Sequence, residues 1–259
     1  MILHSIEAGQ GPPLVLLHGL FGAARNFGAV QRALAPGSRV IALDLRNHGS
    51  SPHEAVGGYD AMAADVLETL KTLAALPATV LGHSMGGKVA MRMALDRPDA
   101  VAALIVADIA PVTYEPHLRP VAAAMAELEL TPGLTRAQAD AALAANVPEP
   151  GMRGFLLQNL TLGAAPSWRI GLPEIIAAMP AIEAWPETGQ SYAGPTLFLA
   201  GERSNYIRRE YRTAILQLFP AARFVTLKDA GHWLHADNQV GFIGIVQAFL
   251  ASREAGSDG

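Results

Sequence analysis

Residues 79–88 read Thr-Val-Leu-Gly-His-Ser-Met-Gly-Gly-Lys, which puts Gly82, Ser84 and Gly86 in the spacing Gly-x-Ser-x-Gly. Thr79–Gly82 is a short apolar run of the kind that forms a buried strand, and Lys88–Leu95 has helical spacing. A serine between the two stands on a sharp strand-to-helix turn, where the flanking glycines remove side chains that would crowd it. That turn holds a hydroxyl in the open beside a helix N-terminus, which favours developing negative charge. The alternative is a glycine-rich turn in which Ser84 is an ordinary helix N-cap.

The same rhythm extends in both directions. Leu14–His18 and Arg39–Asp44 read as buried strands ending in polar or glycine-rich turns, Ala61–Leu73 has helical spacing, and Val101–Asp108 continues the strand series. Strands alternating with helices predict an α/β fold, with a mostly parallel central sheet covered by helices on both faces. After Asp108 the rhythm breaks. Residues 112–190 are rich in Ala, Leu and Pro, with helical stretches at Val121–Leu128 and Arg136–Ala145 and almost no strand signal. Strands return at Thr196–Ala200 and Phe224–Leu227, separated by a helical stretch at Ile207–Phe219, and a helix near Gly241–Leu250 closes the chain. The expected organisation is a core of residues 1–111 and 191–259 with a helical cap, 112–190, inserted in it. The Gly-Ser-Asp-Gly tail at 256–259 reads as disordered.

Composition excludes several classes. Apolar residues make up 51% of the 259-residue chain and charged residues 16%, which is the balance of a globular domain rather than a disordered one. A net charge of −4, with no Lys/Arg run longer than a pair, argues against nucleic acid as a partner. Without cysteine there are neither disulfides nor thiolate catalysis, which fits a reducing, cytoplasmic setting. Met1–Gln10 lacks the basic start and apolar run of a signal peptide, and stretches such as Leu14–Leu17 are too short for a membrane span.

A serine hydroxyl is a weak nucleophile at neutral pH and needs a base. His232, in Ala230-Gly-His-Trp233 just past the last expected strand, falls at the same carboxyl edge of the sheet as Ser84. His235 makes a His-x-x-His pair with it, but no carboxylate-rich or cysteine segment accompanies the pair, so no metal is expected. His18 and His83 also lie at strand ends, as packing and hydrogen-bonding residues rather than catalysts. His18-Gly-Leu-Phe-Gly22 follows the first apolar strand. There the backbone N–H of Leu20, together with that of Met85, can form an oxyanion hole for a tetrahedral intermediate.

Taken together, His18-Gly-x-x-Gly22, Asp44-Leu-Arg-Asn-His-Gly49-x-Ser51, the Gly-x-Ser-x-Gly turn and Gly231-His232 resemble the α/β-hydrolase superfamily over nearly the whole chain. Within it, Arg46-Asn-His-Gly49, Asp108-Ile-Ala-Pro111 and Gly231-His-Trp-Leu-His235 look most like the YbfF-type esterases, relatives of the animal α/β-hydrolase domain proteins. The resemblance implies a carboxylesterase with a capped core, a small-molecule ester substrate of short to medium acyl length and no cofactor. A monomer or small homo-oligomer is expected. Thioester cleavage, peracid formation and carbon–carbon hydrolysis remain open on the same machinery, as does a slow-turnover ligand receptor. Aspartate-nucleophile chemistry is disfavoured by the serine at the turn.

The acid that orients His232 is less direct. The commonest superfamily plan puts it after the strand that follows the cap, where this chain reads Gly-Glu-Arg-Ser-Asn-Tyr206, with Ser204 at the usual aspartate position. A hydroxyl can accept from imidazole but brings no charge. Asp108, at the carboxyl end of its own strand, can supply it, and the YbfF-type resemblance implies a tetrad of Ser84, Asp108, Ser204 and His232. Glu202 and Asp229 are the competing acids. Arg46-Asn-His-Gly49 reads as a hydrogen-bonded structural loop. Phe21, Trp168 and Trp233 are candidates for the substrate pocket, as are Trp185, Phe155 and Met179, with core packing as the alternative for the tryptophans, Phe155 and Met179.

Overall fold

The computed structural model describes residues 1–55 and 57–254, so the expectation for the 256–259 tail lies outside the described residues. Along the chain run β1 (Ser5–Ala8), β2 (Pro13–Leu17), α1 (Gly28–Leu34), β3 (Arg39–Leu43), α2 (Tyr59–Thr72), β4 (Ala78–His83), α3 (Met85–Asp96) and β5 (Val101–Ala107). Next come α4 (Arg119–Glu127), α5 (Arg136–Leu143), α6 (Pro150–Leu157), β6 (Leu160–Thr161), β7 (Ser167–Trp168) and α7 (Leu172–Glu183). The chain then returns through β8 (Thr196–Gly201), α8 (Arg212–Leu218), β9 (Ala222–Leu227), α9 (Leu234–Asp237) and α10 (Gln239–Glu254).

The described residues form a seven-stranded sheet in the order β1-β3-β2-β4-β5-β8-β9. All neighbours are parallel except β1, which runs antiparallel to β3. The apolar runs are continuous because the central strands are buried on both faces, and alternate residues go to different cores. Val15 and Leu17 pack in one cluster with Val66 and Leu70 of α2 and Val89 of α3. Leu14 and Leu16 pack in the other with Val30 and Leu34 of α1 and Phe242 and Val246 of α10.

From β2 the chain moves outward to β3, and from β4 it moves the other way to β5, β8 and β9. The order therefore reverses between β2 and β4, and at such a switch point the loops leaving the two strands part to form a crevice. The His18–Gly22 loop and Ser84 flank that point.

Two features were not expected from the sequence. β1 is a half-exposed edge strand whose Ser-Ile-Glu-Ala run carries little apolar signal, and β6 pairs with β7 in a hairpin of two residues a side, too short for alternation to show. The helical stretch expected at Ile207–Phe219 is confined to a short 3-10 turn at Arg209–Tyr211 and α8.

The glycines around Ser84 are required by contact with backbone. A Cβ on Gly86 would lie 2.4 Å from Leu17 O and 2.5 Å from His18 O, because the first turn of α3 sits against the end of β2. At Gly244, inside α10, a Cβ meets nothing within 4 Å. Opposite outcomes are expected on thermal melting. Gly86→Ala destabilises by about 2 kcal/mol or more through overpacking against unyielding backbone, lowering Tm by about 4–8 °C. Gly244→Ala stabilises by about 0.5–1 kcal/mol through lower backbone entropy of the unfolded chain.

Candidate active site

Ser84 sits between β4 and α3 with φ 52° and ψ −120°, a left-handed conformation that costs a non-glycine residue of order 1–3 kcal/mol. Its position is over-determined: Ser84 N donates to Ala107 O (3.0 Å), and Gly87 N and Lys88 N both donate to Ser84 O (2.8 and 3.2 Å). The half-buried Oγ lies 3.0 Å from His232 Nε2. On the other side of the imidazole, Nδ1 lies 2.8 Å from Asp108 Oδ2. Asp108, the first residue past β5, also has a positive φ (53°), and its N–H donates to Leu199 O (2.8 Å).

The Asp108 carboxylate is wholly buried, and three donors meet it. Besides His232 Nδ1, Gly201 N donates to Oδ1 (3.1 Å) and Ser204 Oγ donates to Oδ2. Ser204 therefore acts on the carboxylate, not on the imidazole. Of the competing acids, Glu202 accepts through Oε2 from the backbone N–H of Asp229 (3.0 Å), and the carboxylate that meets His232 Nδ1 is that of Asp108. The loops after β8 and β9 approach so closely that a Cβ on Gly201 would fall 2.2 Å from Gly231 O.

His232 is gripped from several directions. Its carbonyl accepts from His83 Nε2 (2.7 Å), and the ring of Tyr206 stacks on it with centroids 4.0 Å apart. Gly231 N donates to Asp237 Oδ2 (2.7 Å), which pins the loop to α9. His235 is packed on Phe27 and His83, with ring centroids 4.8 and 5.0 Å away, and burial pushes its imidazole down to about 4. It is part of the wall of the site.

The loop after β2 is built for exposure of one N–H. Phe21 N, at a residue with φ 61°, donates to His48 Nε2 (3.1 Å), and Phe21 O accepts from Asn159 Nδ2 (2.7 Å). His18 Nε2 accepts from Leu45 N (3.0 Å) while its Nδ1 donates to Gly19 O (2.8 Å). Among the described residues neither Leu20 N nor Met85 N has an acceptor, and Leu20, Ser84 and Met85 line one cavity. The Arg46–Gly49 loop is thus a brace: His48 Nδ1 donates to Arg46 O (2.8 Å), and Arg46 itself pairs with Asp65 Oδ2 of α2 (2.6 Å).

Two cavities open at Ser84. One is lined by Phe21, Phe155, His232 and Trp233. The other is lined by Leu20, Met85, Ile109, Met179 and Ile182. Of the aromatic candidates, Phe21, Trp233 and Phe155 face the first. The expectation for Trp168 is corrected: it lies on β7, where its indole N–H donates to Met125 O of α4 (3.1 Å) and ties the hairpin to that helix. Trp185 packs near Tyr59, with ring centroids 6.2 Å apart. Sequence reasoning missed Asn159 and Tyr206 as supports, and placed His48 only within a hydrogen-bonded loop without its partner at Phe21 N; Tyr206 carried a local signal, being in the loop of Ser204.

A mostly parallel sheet with a serine on a β4–α3 elbow and a histidine after the last strand is the arrangement of one large enzyme class. The chain belongs to the α/β-hydrolase family: residues 14–243 match the family described as "Alpha/beta hydrolase family", and the protein is a hydrolytic enzyme. It is 41% identical over 249 residues to mouse "sn-1-specific diacylglycerol lipase ABHD11", covering 93% of this chain and 81% of that one. It is 36% identical over 241 residues to "Esterase YbfF" of Escherichia coli, covering 92% of each. Among solved structures, one titled "Marine microorganism esterase" superposes with a TM-score of 0.91 at 34% identity, covering 96% of this chain and 99% of that one.

Burial keeps His18, His48 and His83 neutral, with His48 lowered to about 3, and the acceptor roles of His18 and His48 require the neutral ring. In the unfolded chain these imidazoles return to about 6.5. Their contribution to stability is therefore complete above about pH 6.5 and is lost as the pH falls below it, because the unfolded state binds protons the folded one refuses. Tm measured from pH 7.5 to 5 is expected to fall, with His48→Asn taking up about one proton fewer on unfolding. A flat Tm over that range would contradict the neutral assignment.

Proposed function

We propose that this hydrolase cleaves carboxylic esters of short to medium acyl chains through an acyl-enzyme on Ser84. The observation that carries the reading is the unbroken line Ser84 Oγ, His232 Nε2, His232 Nδ1, Asp108 Oδ2, with contacts of 3.0 and 2.8 Å. His232 takes the hydroxyl proton as Ser84 Oγ attacks the ester carbonyl, and Asp108 holds the ring in the tautomer with Nε2 free and stabilises the imidazolium. The carbonyl oxygen becomes an anion facing the free N–H groups of Leu20 and Met85, an arrangement in which each donor is worth about 3 kcal/mol. His232 then returns its proton to the departing alkoxide, and water repeats the sequence on the acyl-enzyme. Ser204 supports Asp108 by donating to Oδ2.

Proton return sets the orientation of the substrate. The leaving oxygen must lie on the His232 side, so the alcohol occupies the cavity with Trp233 and Phe155, and the acyl chain occupies the one with Met85 and Met179. Leu118 and Phe155 reach these cavities from the segment between β5 and β8, which supports reading 112–190 as a cap that closes over the substrate. No helix among the described residues is long and apolar enough to cross a membrane, and the substrate we propose is a small-molecule ester.

On p-nitrophenyl acetate, Asp108→Asn is expected to lower kcat by about 10³–10⁴, as loss of the orienting acid does elsewhere. Glu202→Gln should stay within about twofold of wild type, and Ser204→Ala should cost about tenfold, the scale of one hydrogen bond to a charged group. A larger loss at Glu202 than at Asp108 would remove Asp108 from the mechanism.

A further inference from the structure

Lys88 lies one helical turn beyond Ser84 on α3 and is only 1% exposed, an unusual state for an ammonium group. Two of its three donors have acceptors: Nζ donates to Glu183 O (3.1 Å) and Ala184 O (2.9 Å). These carbonyls end α7, where the helix leaves its C=O groups without internal partners and the helix dipole is negative. The rings of Tyr114 and Tyr59 stand 5.0 and 5.4 Å from the nitrogen. Among the described residues no acceptor meets the third N–H, and Lys88 lines the cavity that opens from Ser84 past Met85. The wall holds two acidic residues, Glu115 and Glu183; the carboxylate of Glu183, whose charge acts on Lys88, is occupied by Arg119 Nε (2.9 and 3.0 Å). Burial pushes the Lys88 ammonium down to about 7, so a further acceptor would hold its charge more firmly.

We propose that Lys88 is a specificity residue of the acyl pocket, and that its third N–H selects acyl chains carrying a second acceptor oxygen, neutral or anionic, beyond the scissile carbonyl. A plain alkyl chain filling the cavity strips water from that donor and offers nothing in return, whereas an oxo or carboxylate group satisfies it. A site that hydrogen-bonds one substrate discriminates against the analogue that lacks the polar atom, because its own buried group is then left unpaired.

The inference rests on the esterase reading, and its test separates the two. kcat/KM is measured with full-length enzyme on three p-nitrophenyl esters of matched length: hexanoate, 5-oxohexanoate and the monoester of glutaric acid. At least one oxygenated ester is expected to exceed hexanoate by about tenfold or more, the scale of a hydrogen bond to a charged donor, and the arm that wins distinguishes a neutral from an anionic acceptor. In Lys88→Met that ratio is expected to collapse toward one. Hexanoate as the best wild-type substrate overturns the proposal without recourse to any variant. A Lys88→Met enzyme that loses activity on all three esters in proportion also overturns it, since that is the mark of a tether to α7 alone. An enzyme that hydrolyses none of the three contradicts the esterase reading itself.

Discussion

Two loops, after β8 and after β9, meet on one buried carboxylate at the end of β5. Asp108 accepts from His232 after β9, from Ser204 after β8 and from Gly201 at the end of β8, while its own backbone N–H is held by Leu199. A carboxylate with no exposure to solvent is tolerated only when its oxygens are met by donors, so these loops must close together or not at all. That mutual requirement fixes the distance from His232 to Ser84. It also explains why the close approach of Gly201 to Gly231, and the left-handed backbone at both Asp108 and Ser84, persist in the fold. Local strain at each residue is offset by the contacts it makes possible.

What could be read from the sequence follows from how local each constraint is. The elbow was legible because its strand, its two glycines and its helix are contiguous; Gly82 is dictated by the nearby backbone of Gly86 and Gly87, whereas the backbone that dictates Gly86 comes from the end of β2. His232 was legible from its position after the last strand. Asp108 could be named as a strand-end acid, but the partner of Ser204 could not, because it depends on how the loops after β8 and β9 fold against each other. The same holds for His48, which is 27 residues from the Phe21 N–H it accepts from and reaches it only through the pairing of β2 with β3. Trp168 went astray for a related reason: a two-residue strand has no alternation from which to tell its faces, so nothing local said that the indole points at α4.

Helix α3 also links the sheet to the segment between β5 and β8. α3 carries Met85 at its start and Lys88 one turn later, and Lys88 grips the last carbonyls of α7. Asn159, from the same segment, holds Phe21 O on the opposite wall. The segment between β5 and β8 is therefore tied to both sides of the crevice, and the two cavities at Ser84 are shaped jointly by the sheet and by that segment.

The central claim is that Ser84, activated through His232 by Asp108, is the group that attacks the substrate. It is tested most directly by treating the enzyme with a fluorophosphonate and locating the adduct by mass spectrometry of proteolytic peptides. The account predicts one adduct, on Ser84, that is absent from Ser84→Ala and forms far more slowly in Asp108→Asn. An adduct on another residue, or undiminished labelling of Ser84→Ala, would contradict it.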